Sequence, residues 1–153
     1  IKVNFDPDEV LEKVRKVLSK EDSKKEKMKG PRRHVLLVED DDIMARMLAR
    51  KLEKANYTVY SVGSVAEAHG ILEKNVLDAV LLDILLPDVS GFALLEEMKA
   101  HKQWRDIPVI IISNLNQHSE IEKGRRLGAT DYVVKAETSP GDLVKKVNAL
   151  FKN

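Results

Sequence analysis

The chain has 153 residues, of which 43% are hydrophobic and 33% are charged, and its net charge is +1. This balance disfavours a protein that binds nucleic acid through bulk charge, and the absence of cysteine excludes disulfides and thiolate metal sites. No apolar run reaches the length of a membrane span, and the N-terminus lacks a signal-peptide core. We therefore expect a soluble, cytoplasmic protein without direct nucleic-acid or membrane partners.

Residues 1–33 differ from the remainder and are predicted to form a separate segment. Asp6 and Pro7 suit the first positions of a helix, and apolar residues then recur at helical spacing. Residues 19–33 are rich in lysine and poor in apolar side chains, which is typical of a solvated linker or of the frayed end of the helix, with a nucleic-acid or membrane patch as the alternative. The chain is thus divided into an amphipathic N-terminal helix with a lysine-rich linker and a domain over residues 34–153.

From residue 34 onward, short apolar runs alternate with amphipathic stretches. The apolar runs predict strands at 34–38, 57–62, 77–82, 109–112 and 132–134. The stretches between and after them predict helices at 42–54, 64–73, 90–101, 116–127 and 139–151. Asp41 and Asp42 could each cap the first helix or act as ligands, with capping expected for Asp42. Ser64 and Glu67 form a capping box on the second helix, and Gly128 ends the fourth. Trp104 is expected to pack over the loop before the fourth strand.

Five successive strand–helix units indicate an α/β fold with a doubly wound parallel sheet and helices on both faces. In such sheets the functional crevice lies outside the carboxyl ends of the strands. Here the first strand is followed by four acidic residues at 39–42, the third by Asp83, the fourth by Ser113 and the fifth by Lys135. The fold would bring these side chains to one edge of the sheet.

The residue types at this edge fit magnesium-dependent phosphoryl chemistry. Clustered carboxylates repel one another unless a cation neutralises them, and oxygen ligands with positions open to water suit Mg²⁺. An aspartate such as Asp83 can accept a phosphoryl group. The charge on the phosphoryl oxygens could then be neutralised by Mg²⁺, by the Lys135 ammonium and by the Ser113 hydroxyl.

Four segments, in this order along the chain, resemble the receiver domain of two-component response regulators. They are VEDD at 38–41, LLDILLPDVSG at 81–91, PVIIIS at 108–113 and GATDYVVK at 128–135. The resemblance covers about residues 34 to 152. It implies a flavodoxin-like, five-stranded parallel sheet with strand order 2-1-3-4-5.

The resemblance also implies roles for single residues. Asp83 would accept the phosphoryl group and help to bind Mg²⁺, with Asp40 as a direct metal ligand, Glu39 acting mostly through water and the backbone carbonyl of Leu85 as a further ligand. Lys135 would pair with Asp83 and then with the phosphoryl group.

The resemblance further assigns Ser113 as the switch hydroxyl and Tyr132 as the switch aromatic, although Tyr132 could instead be simple half-buried packing. The donor would be a histidine kinase or a phosphotransfer protein, and the domain would assist its own phosphorylation and dephosphorylation without converting an external metabolite. The surface that responds would be formed by the fourth helix, the fifth strand and the fifth helix of the domain.

Two residues depart from the family pattern. Ala136 follows Lys135 where the family usually has proline, so a trans peptide bond is expected there. Asn114 follows Ser113 where a small residue is usual, and its bulk is expected to slow phosphoryl uptake, hydrolysis or both. The apolar Leu85 and Leu115 cannot orient a water molecule, so a long-lived aspartyl-phosphate is expected.

The N-terminal segment repeats a pattern from the end of the domain. Residues 2–14 align without gaps on residues 135–147, with the lysine, the proline and the apolar positions in common. The segment is interpreted as resembling the last helix of a receiver, from an upstream unit or a fusion, or as a chance similarity of two amphipathic helices. Homodimerisation or a domain swap, through this helix or through the responsive surface, is a hypothesis.

Two alternatives belong to other functional classes. One is a phosphorylation-independent interaction or dimerisation module, since Asn114 and Ala136 weaken the switch pattern. The other is a small metal-dependent phosphatase, which would need a second carboxylate close after Asp83, and Asp88 is too distant along the loop. The residues given leave no room for a DNA-binding domain, so the output is expected from a partner protein or from a longer parent chain.

Overall fold

The computed structural model describes residues 31–152, and a compact unit begins at Arg33. Within these residues the strands are β1 (Arg33–Val38), β2 (Tyr57–Val62), β3 (Ala79–Asp83), β4 (Val109–Ser113) and β5 (Asp131–Val134). The helices are α1 (Asp42–Lys54), α2 (Val65–Lys74), α3 (Gly91–Ala100), α4 (His118–Arg126) and α5 (Pro140–Ala149), with a 3₁₀ turn at Lys135–Glu137. The predicted N-terminal helix, its linker and the repeat in residues 2–14 lie outside the described residues.

The strands described within residues 31–152 form one parallel sheet in the order β2-β1-β3-β4-β5. This confirms the predicted doubly wound, flavodoxin-like sheet. Strand β3 begins at Ala79, two residues later than predicted. The preceding residue, Asp78, makes two hydrogen bonds to His34 on β1. The Asp78 N–H donates to the carbonyl of His34, and the Asp78 carboxylate accepts from the His34 N–H at 2.7 Å.

Each central strand contributes to two cores because successive side chains point to opposite faces of a sheet. On one face Leu82 packs with the core residues of α2 and α3, and Trp104 is buried in the same cluster. On the other face Leu81 packs with the core residues of α1 and α5. All five residues of β3 are buried, which explains why this strand reads as a continuous apolar run.

Helix α1 is capped by Asp41, one of the two aspartates that the sequence offered as cap residues, and not by Asp42. The Asp41 carboxylate accepts from the backbone N–H groups of Ile43 and Met44, both at 3.0 Å. Asp42 is the first helical residue, where its negative charge favours the positive end of the helix dipole. Both aspartates are good cap residues, and the end of β1 decides which of them stands at the boundary.

Helix α2 has two caps, one of which the sequence did not indicate. The predicted Ser64 hydroxyl accepts from the Glu67 N–H at 3.1 Å. In addition the Asp88 carboxylate, from the loop between β3 and α3, accepts from the N–H groups of Val65 and Ala66 at 3.1 and 3.0 Å. These backbone hydrogen bonds lower the pKa of Asp88, the one from Val65 most strongly. The loop that follows Asp83 is thereby tied to a neighbouring helix.

Helix α4 ends, as predicted, where Gly128 adopts a φ of 103°, a left-handed conformation that glycine adopts at little steric cost. None of the helices within residues 31–152 combines the length and the apolar character needed to cross a membrane.

Candidate functional site

Three buried polar side chains stand where the central strands end. Glu39 follows β1, Asp83 ends β3 and Ser113 ends β4; they are 3%, 3% and 0% exposed. The register explains their proximity, since Val38 pairs with Leu82 on the neighbouring strand and Asp83 pairs with Ile112 next to Ser113. Polar groups this deeply buried require partners, and the sheet edge supplies them.

Glu39, Asp40 and Asp83 form an acidic group that could hold a metal ion. One carboxylate oxygen from each lies within 4.8 Å of the others, with Glu39 and Asp83 buried and Asp40 exposed. Carboxylate oxygens are hard ligands, and Asp40 keeps one side of the group open to solvent. When all three carboxylates are ionised, their charge exceeds that of the nearby Lys135 ammonium, and a divalent cation would neutralise the excess.

Lys135 bridges the two buried carboxylates. Its Nζ lies 2.7 and 2.9 Å from the two Glu39 oxygens and 2.8 Å from Asp83 Oδ2. Burial lowers the pKa of Lys135, but the hydrogen bonds and charges of Asp83 and Glu39 outweigh burial and raise it overall. The ammonium therefore stays charged and points at Asp83.

The pKa of Glu39 is strongly raised. Burial, followed by the hydrogen bond and the charge of Asp83, raises the pKa of Glu39 to about 8, while Lys135 acts in the opposite direction. The family resemblance assigned Glu39 mainly to the metal. Its direct contact with Lys135 was missed, although an acidic residue at the end of β1 and a lysine at the end of β5 were the available signal.

Ser113 and Tyr132 are connected through the backbone of Leu115. The Ser113 hydroxyl accepts from the Leu115 N–H at 3.2 Å, and the Tyr132 hydroxyl donates to the Leu115 carbonyl at 2.6 Å. Tyr132 is half-buried against the core, and burial raises its pKa. The ring thus packs against the core and the hydroxyl holds the loop after β4, whereas the role of Tyr132 as a switch aromatic stays a prediction.

The loop after Asp83 is closely packed against the strand. The Leu85 N–H donates to Asp83 Oδ1 at 3.3 Å, and the Gly91 N–H donates to the Ile84 carbonyl at 2.9 Å. A β-carbon on Gly91 would lie 2.0 Å from the Asp83 carbonyl oxygen. Only glycine fits this contact. The first residue of α3 therefore packs directly against the backbone of Asp83, the last residue of β3.

The two departures from the family pattern meet in space. The Ala136 N–H donates to Asn114 Oδ1 at 3.1 Å, which links the loop after Ser113 to the turn after Lys135. No cis peptide bond occurs within residues 31–152, so the Lys135–Ala136 bond is trans, as expected. This contact between Asn114 and Ala136 was not predicted from the sequence.

Known proteins that resemble this chain identify its family. A family model described as the response regulator receiver domain matches residues 35–148. The transcriptional regulatory protein SrrA of Staphylococcus aureus is 30% identical over 118 residues, which are 77% of this chain and 47% of that protein. The chain therefore spans about half the length of the curated relatives that it matches.

Solved structures agree with the family match. A Chloroflexus aurantiacus J-10-fl protein assigned as a response regulator is 33% identical, with a TM-score of 0.73 over 79% of this chain and 99% of that one. A CheY-like response regulator receiver domain protein from Methanospirillum hungatei JF-1 is 28% identical, with a TM-score of 0.70 over 77% of this chain and 92% of that one.

The class of protein is defined by the fold, by the residues at the strand ends and by the family match. The chain belongs to the response regulator receiver domain family, which operates in two-component signalling.

Proposed function

We propose that this domain accepts a phosphoryl group on Asp83 from the phosphohistidine of a histidine kinase or a phosphotransfer protein, in a Mg²⁺-dependent reaction. The observation that carries the proposal is the position of the Asp83 carboxylate, which is buried, lies 2.8 Å from the Lys135 ammonium and belongs to an acidic group able to hold a metal. Such a domain is a signalling module, and it turns over no external metabolite.

In the proposed reaction an Asp83 carboxylate oxygen attacks phosphorus, and the phosphorus–nitrogen bond to the donor imidazole breaks. The imidazole leaves with the electron pair of that bond and takes up a proton. Because the transferred group carries its charge on three oxygens, catalysis depends on positioning and charge neutralisation. Mg²⁺ would supply part of that neutralisation, held by Asp40 and Asp83, by Glu39 through water and by the Leu85 carbonyl.

The other two neutralising groups come from neighbouring strands. Lys135 would exchange part of its contact with Asp83 for a phosphoryl oxygen. Ser113 would turn its hydroxyl from the Leu115 N–H toward the phosphoryl group. Because the Leu115 carbonyl also holds Tyr132 at 2.6 Å, this movement would be transmitted to the surface formed by α4, β5 and α5, where a partner protein would bind.

Exposed apolar side chains near the site support a protein as the phosphoryl donor. Ile43 and Met47 lie on α1, which follows the acidic residues after β1, and they are 77% and 44% exposed. Leu85 and Val89 lie on the loop after Asp83 and are 60% and 46% exposed. Apolar residues exposed around a polar site are typical of surfaces that bind another protein.

The test is the intact mass of the protein after incubation with acetyl phosphate and Mg²⁺. We expect the wild type to gain one phosphoryl group and Asp83→Asn to gain none. Asp88→Asn is the matched control, since Asp88 lies on the same loop but caps α2; it should still be phosphorylated. Chelation of Mg²⁺ should abolish the gain. A wild type that takes up no phosphoryl group would favour the phosphorylation-independent interaction module instead.

A further inference from the structure

Two exposed residues next to the site are joined by a single hydrogen bond, from the Ala136 N–H to Asn114 Oδ1 at 3.1 Å. The facing atom of Asn114 must be its oxygen, because a backbone N–H can only donate. The bond spans 22 residues of sequence. It depends on both departures from the family pattern at once, since an alanine at 114 would lack the acceptor and a proline at 136 would lack the donor.

The position of this bond relates it to the chemistry. Asn114 directly follows Ser113, and Ala136 directly follows Lys135. The strands that carry these residues are neighbours, with Ser113 paired to Val134, and the Lys135 side chain reaches across β4 to Asp83 on β3. The bond therefore closes the gap between the loops that present the hydroxyl and the ammonium.

We infer that the Asn114–Ala136 hydrogen bond is a clasp that positions the Ser113 and Lys135 loops over Asp83 and slows loss of the phosphoryl group to water. Asn114 is thus a positioning residue that acts through its amide oxygen, and its bulk is not the decisive property. The inference rests on the proposed function for its kinetic part, but the clasp itself is present without phosphorylation.

The clasp would control how easily water reaches the phosphoryl group. In the phosphorylated state water must reach the phosphorus between groups carried by β3, β4 and β5. With the clasp intact, the loops after β4 and β5 move together and the gap stays narrow. Without it each loop moves separately, and solvent reaches the site more often. The net free energy of one hydrogen bond changes the equilibrium between the closed and the open arrangement of these loops by a factor of roughly 2 to 10. We expect the rate of hydrolysis to change by the same factor.

The decisive variant is Asn114→Leu, which retains the bulk of asparagine but has no acceptor. We expect Asn114→Leu and Asn114→Ala to shorten the lifetime of the aspartyl-phosphate by the same factor of roughly 2 to 10. The lifetime is measured by intact mass after removal of acetyl phosphate, in buffer with Mg²⁺. If Asn114→Leu keeps the wild-type lifetime while Asn114→Ala shortens it, side-chain bulk controls the site and the clasp is rejected.

The donor side is tested with Ala136→Pro, alone and combined with Asn114→Leu. If the clasp is the shared cause, the double variant should lose its phosphoryl group no faster than either single variant. Effects that multiply would show that the proline acts through the backbone of the turn. In that case the donor part of the inference fails.

A measurement without phosphorylation separates failure of the clasp from failure of the proposed function. Amide hydrogen exchange at Ala136 should be slow in the wild type and roughly 2- to 10-fold faster in Asn114→Leu, whereas Asn114→Asp, which keeps an acceptor oxygen, should retain protection. Equal exchange rates at Ala136 in wild type and Asn114→Leu would overturn the inference. Protection without any phosphoryl uptake would instead refute the proposed function and leave the clasp standing.

Discussion

Gly91→Ala is expected to destabilise the domain by at least about 3 kcal/mol, at the upper end of what overpacking costs. The added β-carbon would lie 2.0 Å from the carbonyl oxygen of Asp83 and 2.9 Å from the Cα of Ile84. These are backbone atoms of a fully buried strand end, so no flexible side chain can move aside. The strand end or the start of α3 must shift, and either movement displaces Asp83.

Gly70→Ala is the matched control for this prediction. Gly70 lies inside α2, and a β-carbon there would meet no atom within 4 Å. Alanine is favoured over glycine in a helix interior, so Gly70→Ala should stabilise the domain by about 0.5–1 kcal/mol. Urea denaturation of both variants gives the comparison. Equal stability of Gly91→Ala and the wild type would mean that the close contact at Asp83 is not present in solution.

Lys135→Met is expected to reduce the rate of phosphorylation by acetyl phosphate about 10²-fold or more, the usual effect of removing one group that stabilises developing charge. The same variant should lose about 3–5 kcal/mol of stability in buffer without divalent cations, because two buried carboxylates lose their ammonium partner. Mg²⁺ should restore part of this stability, since a cation in the acidic group replaces the missing charge.

Lys146→Met is the matched control, because it removes a lysine that contacts neither Glu39 nor Asp83. Lys146 pairs with Asp131 at 3.0 Å, but both side chains are well exposed, and such pairs contribute about 0–1 kcal/mol. This variant should be phosphorylated at the wild-type rate and melt close to the wild type. If Lys135→Met behaved in the same way, the contacts of Lys135 with Glu39 and Asp83 would be irrelevant to both stability and chemistry.

The sheet and the convergence of its strand ends could be predicted because they depend on periodicity and on general rules of connection. Continuous apolar runs identified the strands buried on both faces, and right-handed crossovers then brought the residues after each strand to one edge. Glu39, Asp83 and Lys135 stand together for that reason. Their roles in phosphoryl transfer remain proposals that the variants above test.

The features that sequence reasoning missed are contacts between loops. The cap on α2 by Asp88 spans 23 residues, and the bond between Asn114 and Ala136 spans 22. Neither follows a local pattern, because a carboxylate or an amide in a loop has many backbone N–H groups within reach and only the folded arrangement selects one. The choice between Asp41 and Asp42 as the cap of α1 has a similar origin, because only the position at which β1 ends distinguishes the two adjacent aspartates.

The cap formed by Asp88 also bears on how a partner could bind. Residues 84–90 connect β3 to α3. The middle of this connection is bound to the start of α2, because the Asp88 carboxylate accepts hydrogen bonds from two backbone N–H groups of that helix. The connection is held at its start by the bond from Leu85 to Asp83 and at its end by the bond from Gly91 to Ile84. Its exposed apolar side chains are therefore already ordered, so a partner that contacts them would lose little conformational entropy on association.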